Sequence, residues 1–155
     1  MYSFLPEDWK RFEEQIENLK ARIREIGQDM GASCREGAET FHDNFAYEQG
    51  ERDQRMWAQR FRELKHIHER SRIVQIDHQH PDKVTIGKVV TVRNEDGVTE
   101  TFRIGSYLTF DDSNTIPYNS PLAKLLIGGM LHKQKIGVVG GILRTYTIIK
   151  IVTPK

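Results

Sequence analysis

The stretch Trp9–Met30, WKRFEEQIENLKARIREIGQDM, decides the fold of the first half of this chain. Its residues Trp9, Phe12, Ile16, Leu19, Ile23, Ile26 and Met30 recur at steps of 3, 4, 3, 4, 3 and 4. That alternation holds them on one stripe of a helix and draws the seam of a coiled coil. Pro6 suits the first helical turn, and Glu7 and Asp8 favour its positive end. A run of about 25 residues predicts a helix about 40 Å long.

Beyond Met30 the period is lost. Gly27, Gly31 and Gly37 each weaken a helix by about 1 kcal/mol relative to alanine, and Ser33–His42 carries no clean apolar repeat, so the bend is expected there. A second helix is expected from Asn44 to Val74, with a seam through Tyr47, Gln54, Trp57, Phe61, Leu64 and Ile67 or His68. A connection this short forces it to return antiparallel. Asp77–Asp82, with His78, His80 and Pro81, reads as a hinge.

The rest of the chain changes period. Val84–Arg93 and Val98–Ile104 read as strands around an Asn94–Gly97 turn, and Lys135–Val139 and Ile142–Val152 as strands around Gly140-Gly141. Between them, Ser120 is placed to cap a helix that starts at Pro121, faces inward through Leu122, Leu125 and Leu126, and stops at Gly128. The expectation is an α+β chain: a helical coiled-coil hairpin over 1–76, a linker over 77–83, and over 84–155 a four-stranded, mostly antiparallel sheet with one short helix. This second half has no nucleophile–base pairing and no phosphate-cradling glycine loop, because Gly128-Gly129 ends a helix rather than opening one.

Composition agrees with a partly exposed hairpin. The chain is 37% hydrophobic and 29% charged, polar for a compact globule but suited to helices with little interior. No apolar run reaches the length of a membrane span, the N-terminus lacks the basic and apolar regions of an export signal, and Cys34 has no cysteine to pair with. A reducing cytoplasm is the expected location. His66 and His68, two apart on a helix, face different directions, so a zinc site is not expected.

Charge is segregated. Asp29–Asp53 holds seven acids against two bases, and Gln54–Arg72 holds six bases against two acids. An acidic tip on a basic stem would steer docking; an ordinary solvated helix surface accounts for the same residues. Glu39, Asp43 and Asn44 stand at the bend itself. Carboxylates at the far end of long helices are suited to delivery into a site the rest of the domain cannot enter, while the plainer reading is an acid-rich turn in which Asp43 caps the second helix.

Asn119-Ser120-Pro121-Leu122-Ala123, then Leu126-Ile127-Gly128 and Val138-Val139-Gly140-Gly141, following a helical hairpin with an acidic bend, resemble the bacterial Gre family of transcript-cleavage factors (GreA/GreB). The resemblance spans nearly the whole chain in the family's domain order. It implies an FK506-binding-protein-like (FKBP-like) second domain, and as partners RNA polymerase and the nascent RNA 3′ end, with the protein a monomer. In that family the C-terminal domain docks at the rim of the polymerase secondary channel and the coiled coil enters it. Tip carboxylates then help to hold a second Mg²⁺, so that the polymerase's own centre cuts backtracked RNA. Mg²⁺ shared with polymerase suits hard carboxylate oxygens.

The family's tip reads Asp-Leu-Ser-Glu-Asn. Here Glu39 stands for the first acid, Asp43 for the second and Asn44 for the asparagine, with Phe41 at the apolar position and His42 in place of serine. Both acids are exchanged in type and one extra residue separates them. The resemblance therefore implies two outcomes: stimulated cleavage through Glu39, Asp43 and Asn44, or a non-cleaving regulator that occupies the channel. A reading from another class is a peptide-binding or prolyl isomerase module, which would need an aromatic-lined pocket built from Phe102, Tyr107, Phe110, Tyr118 or Tyr146.

Overall fold

A computed structural model describes residues 1–36, 45–110 and 114–155. In chain order the elements are β1 (Tyr2–Phe4), α1 (Pro6–Glu36), α2 (Phe45–Glu69), β2 (Ser71–Ile73), β3 (Val89–Asn94), β4 (Thr99–Gly105), β5 (Thr115–Pro117), α3 (Pro121–Leu126), β6 (Gln134–Val139) and β7 (Ile142–Val152). The α+β class is as expected. The division of the chain is not: it separates into a helical unit, Arg11–Ser71, and a second unit that joins Met1–Lys10 to Arg72–Lys155. The expected boundary at 76/77 fails because the first residues form a strand, β1, that pairs with β2 and buries Phe4 and Leu5.

In the helical unit the apolar stripe is buried as its spacing requires, with Phe12, Ile16, Leu19, Ile26 and Leu64 all under 9% exposed. Three contacts fix the direction of α2. His68 lies 3.8 Å from Glu13, Lys20 sits 5.8 Å from the Phe61 ring centroid, and a Cβ on Gly27 would meet Gln54 at 3.2 Å. Each step of seven residues forward along α1 is a step of seven back along α2, so the pair is antiparallel with a heptad register. The helices run differently from expectation at two ends. α1 continues through Ser33 to Glu36, so the bend does not begin at Ser33; the remainder of the expected bend lies outside the described residues. α2 stops at Glu69 rather than Val74, because Arg70 N–H and the Ser71 hydroxyl both bond back to Ile67 O and close the last turn. Trp9, read as the first seam residue, instead packs edge-on against Phe4 at 5.5 Å within the other unit.

That unit is built on a five-stranded sheet in the order β5-β4-β3-β7-β6, antiparallel except where β5 runs parallel to β4. β5 was not expected: three residues ending in proline carry too little alternation to read. The strand expected from Val84 starts only at Val89, because Gly87 takes φ +95° in a turn closed by Lys88 N–H to Thr85 O. Val84 bonds instead to the segment after α3, accepting from Gly128 N–H and donating to Gly129 O.

The core lies on one face of the sheet, where Val90, Val92, Phe102, Ile104, Tyr146 and Ile148 meet Ala123 and Leu126 of α3. A bulge between Thr91 and Val92 shifts the β3–β7 register, which twists the centre of the sheet. Gly140 and Gly141 turn β6 into β7 with φ of +64° and +78°, the positive values that a two-residue hairpin turn demands.

Candidate functional site

Glu39, Asp43 and Asn44 fall in 37–44, outside the described residues. What the structure describes is the scaffold on either side. Nine residues beyond the Gly27–Gln54 contact in each helix, α1 ends at Glu36 and α2 begins at Phe45. The two segments thus remain helical up to the residues that flank 37–44, while the heptad register is seen as far as Gly27 and Gln54. Lower on the same pair, Arg22, Glu25, Ile26, Asp29, Gln49 and Asp53 line an open groove. Asp53 accepts from Gln49 Nε2 at 2.9 Å, and Arg22 pairs with Glu25 at 3.6 Å.

The basic stem is largely balanced within its own helix. Arg55 pairs with Glu51 at 3.8 Å, Arg60 with Glu63 at 3.4 Å and Lys65 with Glu69 at 4.0 Å, all exposed and one turn apart. Such pairs stabilise a helix by only a few tenths of a kcal/mol. At these three bases the ordinary solvated-surface account suffices, and the steering field is correspondingly reduced.

The histidines are engaged locally. His66 Nδ1 lies 3.0 Å from an Arg70 guanidinium nitrogen, and His68 packs on Phe12 at 5.9 Å beside Glu13. His80 Nδ1 meets Asp77 Oδ2 at 2.7 Å, and Gln79 N–H donates to the other carboxylate oxygen at 2.8 Å. The His80 hydrogen bond, followed by that of Gln79, holds the Asp77 carboxyl below the usual carboxylate range. Among the described residues no three His, Cys, Asp or Glu side chains converge as a metal site. Among them too, no helix is long and apolar enough to cross a membrane.

The Asn119–Gly128 segment divides between fold and surface. Ser120 caps α3 as expected, its Oγ accepting from Ala123 N–H at 3.4 Å. Ala123 and Leu126 fill the core, while Asn119 and Pro121 face solvent. Tyr118 is tied from behind, its hydroxyl accepting from Ser3 N–H at 3.1 Å.

Two organising residues escaped the sequence reading. Ser106, wholly buried, accepts from Leu5 N–H at 2.8 Å and donates to Asp8 at 2.6 Å, fastening the N-terminal strand and the first turn of α1. Lys88, also wholly buried, donates to the carbonyls of His80 at 2.5 Å and Lys83 at 2.9 Å, closing the segment read as a hinge. Neither carries a sequence signal: the partners of Ser106 lie 98 and 101 residues back, and those of Lys88, five and eight residues back, are backbone carbonyls that any residue supplies. A small cleft of this unit, lined by Leu5, Ile76, His78, Arg103 and Lys155 among others, has no aromatic wall. Tyr107 is committed to Tyr2 at 4.3 Å and to Tyr118 at 6.5 Å, and Phe102 and Tyr146 are core.

Comparison with known proteins bears on both units. Residues 78–153 match the family described as "Transcription elongation factor, GreA/GreB, C-term". The chain is 31% identical over 144 residues to transcription elongation factor GreA of Chloroflexus aggregans, covering 91% of this chain and 90% of that protein. It is 38% identical over 88 residues to GreA of Mycoplasmopsis pulmonis, covering 56% of this chain and 55% of that one. Among solved structures, GreA factor homolog 1 (Gfh1) of Thermus thermophilus is 18% identical with a TM-score of 0.41, covering 97% of this chain and 98% of that chain.

Proposed function

This chain belongs to the GreA/GreB family of transcription elongation factors, and from that premise we propose that it binds RNA polymerase through the secondary channel and stimulates the polymerase's own cleavage of backtracked RNA. The observation that carries this reading is the extent of the family match, which covers 91% of the chain and so takes in the helical pair as well as the sheet unit. On this reading the helical pair forms the family's coiled coil and enters the channel, and the sheet unit is the family's FKBP-like domain at the rim. The protein contributes no hydrolytic centre of its own and acts in the cytoplasm, where polymerase works.

Glu39 and Asp43 supply the carboxylate oxygens and Asn44 an amide that positions them. A second Mg²⁺, when bound jointly with polymerase, stabilises charge on the attacking and leaving oxygens. The donor set fits that ion, since carboxylate oxygens are its preferred ligands and two acids alone are too few to hold it without polymerase. The chain's own part is to bring the two carboxylates to the channel end and to orient water by accepting its protons in hydrogen bonds. Arginines of the stem are suited to contact channel walls or extruded RNA, and two of them, Arg55 and Arg60, keep acid partners one turn away.

The test is transcript cleavage in a stalled, backtracked elongation complex with Mg²⁺. Shortened transcripts that resume extension support the reading; intact transcripts overturn it. One observation favours a second reading. The exchange of the two acids and the extra residue between Glu39 and Asp43 depart from the family tip, as expected of a relative that occupies the channel without cleaving. Competition with a cleaving GreA, without cleavage, would establish that regulator. The isomerase reading has no support, as the described cleft lacks the aromatic wall a proline pocket needs.

A further inference from the structure

The five-stranded sheet has two edges, β5 and β6. Edges are normally guarded by proline, a bulge or an outward charge. β5 ends in Pro117. β6 has no proline, pairs with β7 without a shift of register, and carries one charge, Lys135. That lysine lies opposite the core residue Tyr146, and so on the covered face. β6 is the open edge.

Its register says which groups it offers. The two-residue turn at Gly140-Gly141 makes Val139 and Ile142 a hydrogen-bonded pair, and the parity continues through Gly137–Arg144 to Lys135–Tyr146. The backbone groups of Lys135, Gly137 and Val139 therefore point at β7, and those of Gln134, Ile136 and Val138 point outward. The side chains of these last three share the face away from Tyr146, where none is charged. Ile136 is 63% exposed and Val138 64%, with Leu143, the β7 partner of Val138, at 67%.

An occupant of this edge needs backbone groups at the same spacing, apolar side chains on the same face and no charge there. β6 of a second copy meets each condition. Antiparallel pairing about a two-fold axis at Ile136 sets Ile136 opposite its counterpart and Val138 opposite Gln134, with about six hydrogen bonds exchanged. Val138 then lies diagonal to Ile136 of the second copy, so Leu143, Val138 and Ile136 of both copies join in one apolar strip. Charge does not oppose the arrangement. Lys135 falls opposite Gly137 rather than opposite itself, Arg144 is paired with Glu95 at 3.4 Å, and a net charge of +1 gives two copies little mutual repulsion. Six strand residues a side is far below the roughly 20–30 of a standard interface, so the association is weak and reversible.

We propose that the protein self-associates through β6, two copies adding edge to edge about a two-fold axis at Ile136 into one continuous sheet. This departs from the monomer that the family resemblance implies, and it depends on neither polymerase binding nor cleavage.

Sedimentation equilibrium and residue-resolved amide exchange on the full chain at rising concentration test it. The weight-average mass should climb from 18.0 kDa towards twice that value. The Ile136 and Val138 amides, fast in dilute protein, should slow by at least about threefold, while Gly137 and Val139, already bonded to β7, change little. Ile136→Pro removes an outward N–H that β7 does not use, which an edge strand tolerates. It should keep the circular dichroism spectrum and sediment as a monomer throughout. Val138→Lys, which puts a charge on the uncharged face, should weaken association at least about tenfold and decides the matter alone if the proline variant does not fold. A mass that stays at 18.0 kDa at every concentration overturns the proposal. So does self-association that persists in the folded variants, or protection of Ile136 and Val138 that appears only when a different macromolecule is added.

Discussion

Lys20 and Phe61 face each other across the helical pair, the ammonium nitrogen 5.8 Å from the ring centroid, seven residues along α1 from Glu13 and seven back along α2 from His68. That relationship turns two amphipathic sequences into one register, from Glu13 and His68 through Lys20 and Phe61 to Gly27 and Gln54.

Leu64 is 1% exposed in the seam. Leu64→Ala removes buried methyl groups and leaves a cavity, at a cost of about 2–5 kcal/mol. Thermal melting followed by helical circular dichroism should shift down accordingly. An unchanged melt would mean that the pair is held by something other than its apolar stripe.

Gly27 makes the opposite case. A Cβ there would lie 3.2 Å from Gln54 Nε2, the far end of a flexible side chain that has room to give. The gain in helix propensity then prevails, and Gly27→Ala should stabilise the pair by about 0.5–1 kcal/mol in a denaturant titration. A destabilised variant would show the helices too close at that level for any side chain.

Ser106→Ala leaves the buried Leu5 N–H without its acceptor and Asp8 without a donor. The expected cost is about 1–3 kcal/mol. It should appear locally, as faster amide exchange at Leu5 and easier proteolysis of the first residues.

Asp77 titrates low because His80 and Gln79 bond its ionised form. A depressed folded-state pKa adds stability at pH above the ordinary carboxylate range, near 3.9. That contribution is lost as pH falls through the lower folded value. Asp77→Asn should lower stability modestly at neutral pH, where the contribution is present, leave it unchanged at pH below the folded-state value, and so flatten the acid limb of the stability profile. An NMR titration placing the Asp77 midpoint at or above about 3.9 would contradict the contact.

The helices were legible because their steps of 3 and 4 span about six turns from Trp9 to Met30, and capping at Ser120-Pro121 and the Gly140-Gly141 turn are local chemistry that a sequence states directly. Less legible was whatever depends on distant partners. Tyr2–Phe4 is a strand only because β2 lies beside it, and Val84–Ile86 looks like a strand but bonds to the backbone after α3. Ser106 and Lys88 stand in unremarkable surroundings along the chain and matter only through the groups folded against them. The candidate acids were found by their place at a bend and by family likeness, and neither the spacing of Glu39 and Asp43 nor their chemistry decides between cleavage and occupancy.

That decision rests on one measurement: transcript cleavage by backtracked elongation complexes in Mg²⁺, comparing the parent protein with Asp43→Asn at concentrations giving equal polymerase occupancy. The account predicts that the parent shortens the RNA and restores extension, and that Asp43→Asn binds equally well but reduces cleavage at least about a hundredfold, as expected for loss of a group that supports the transition state. Equal cleavage by parent and Asp43→Asn would contradict it.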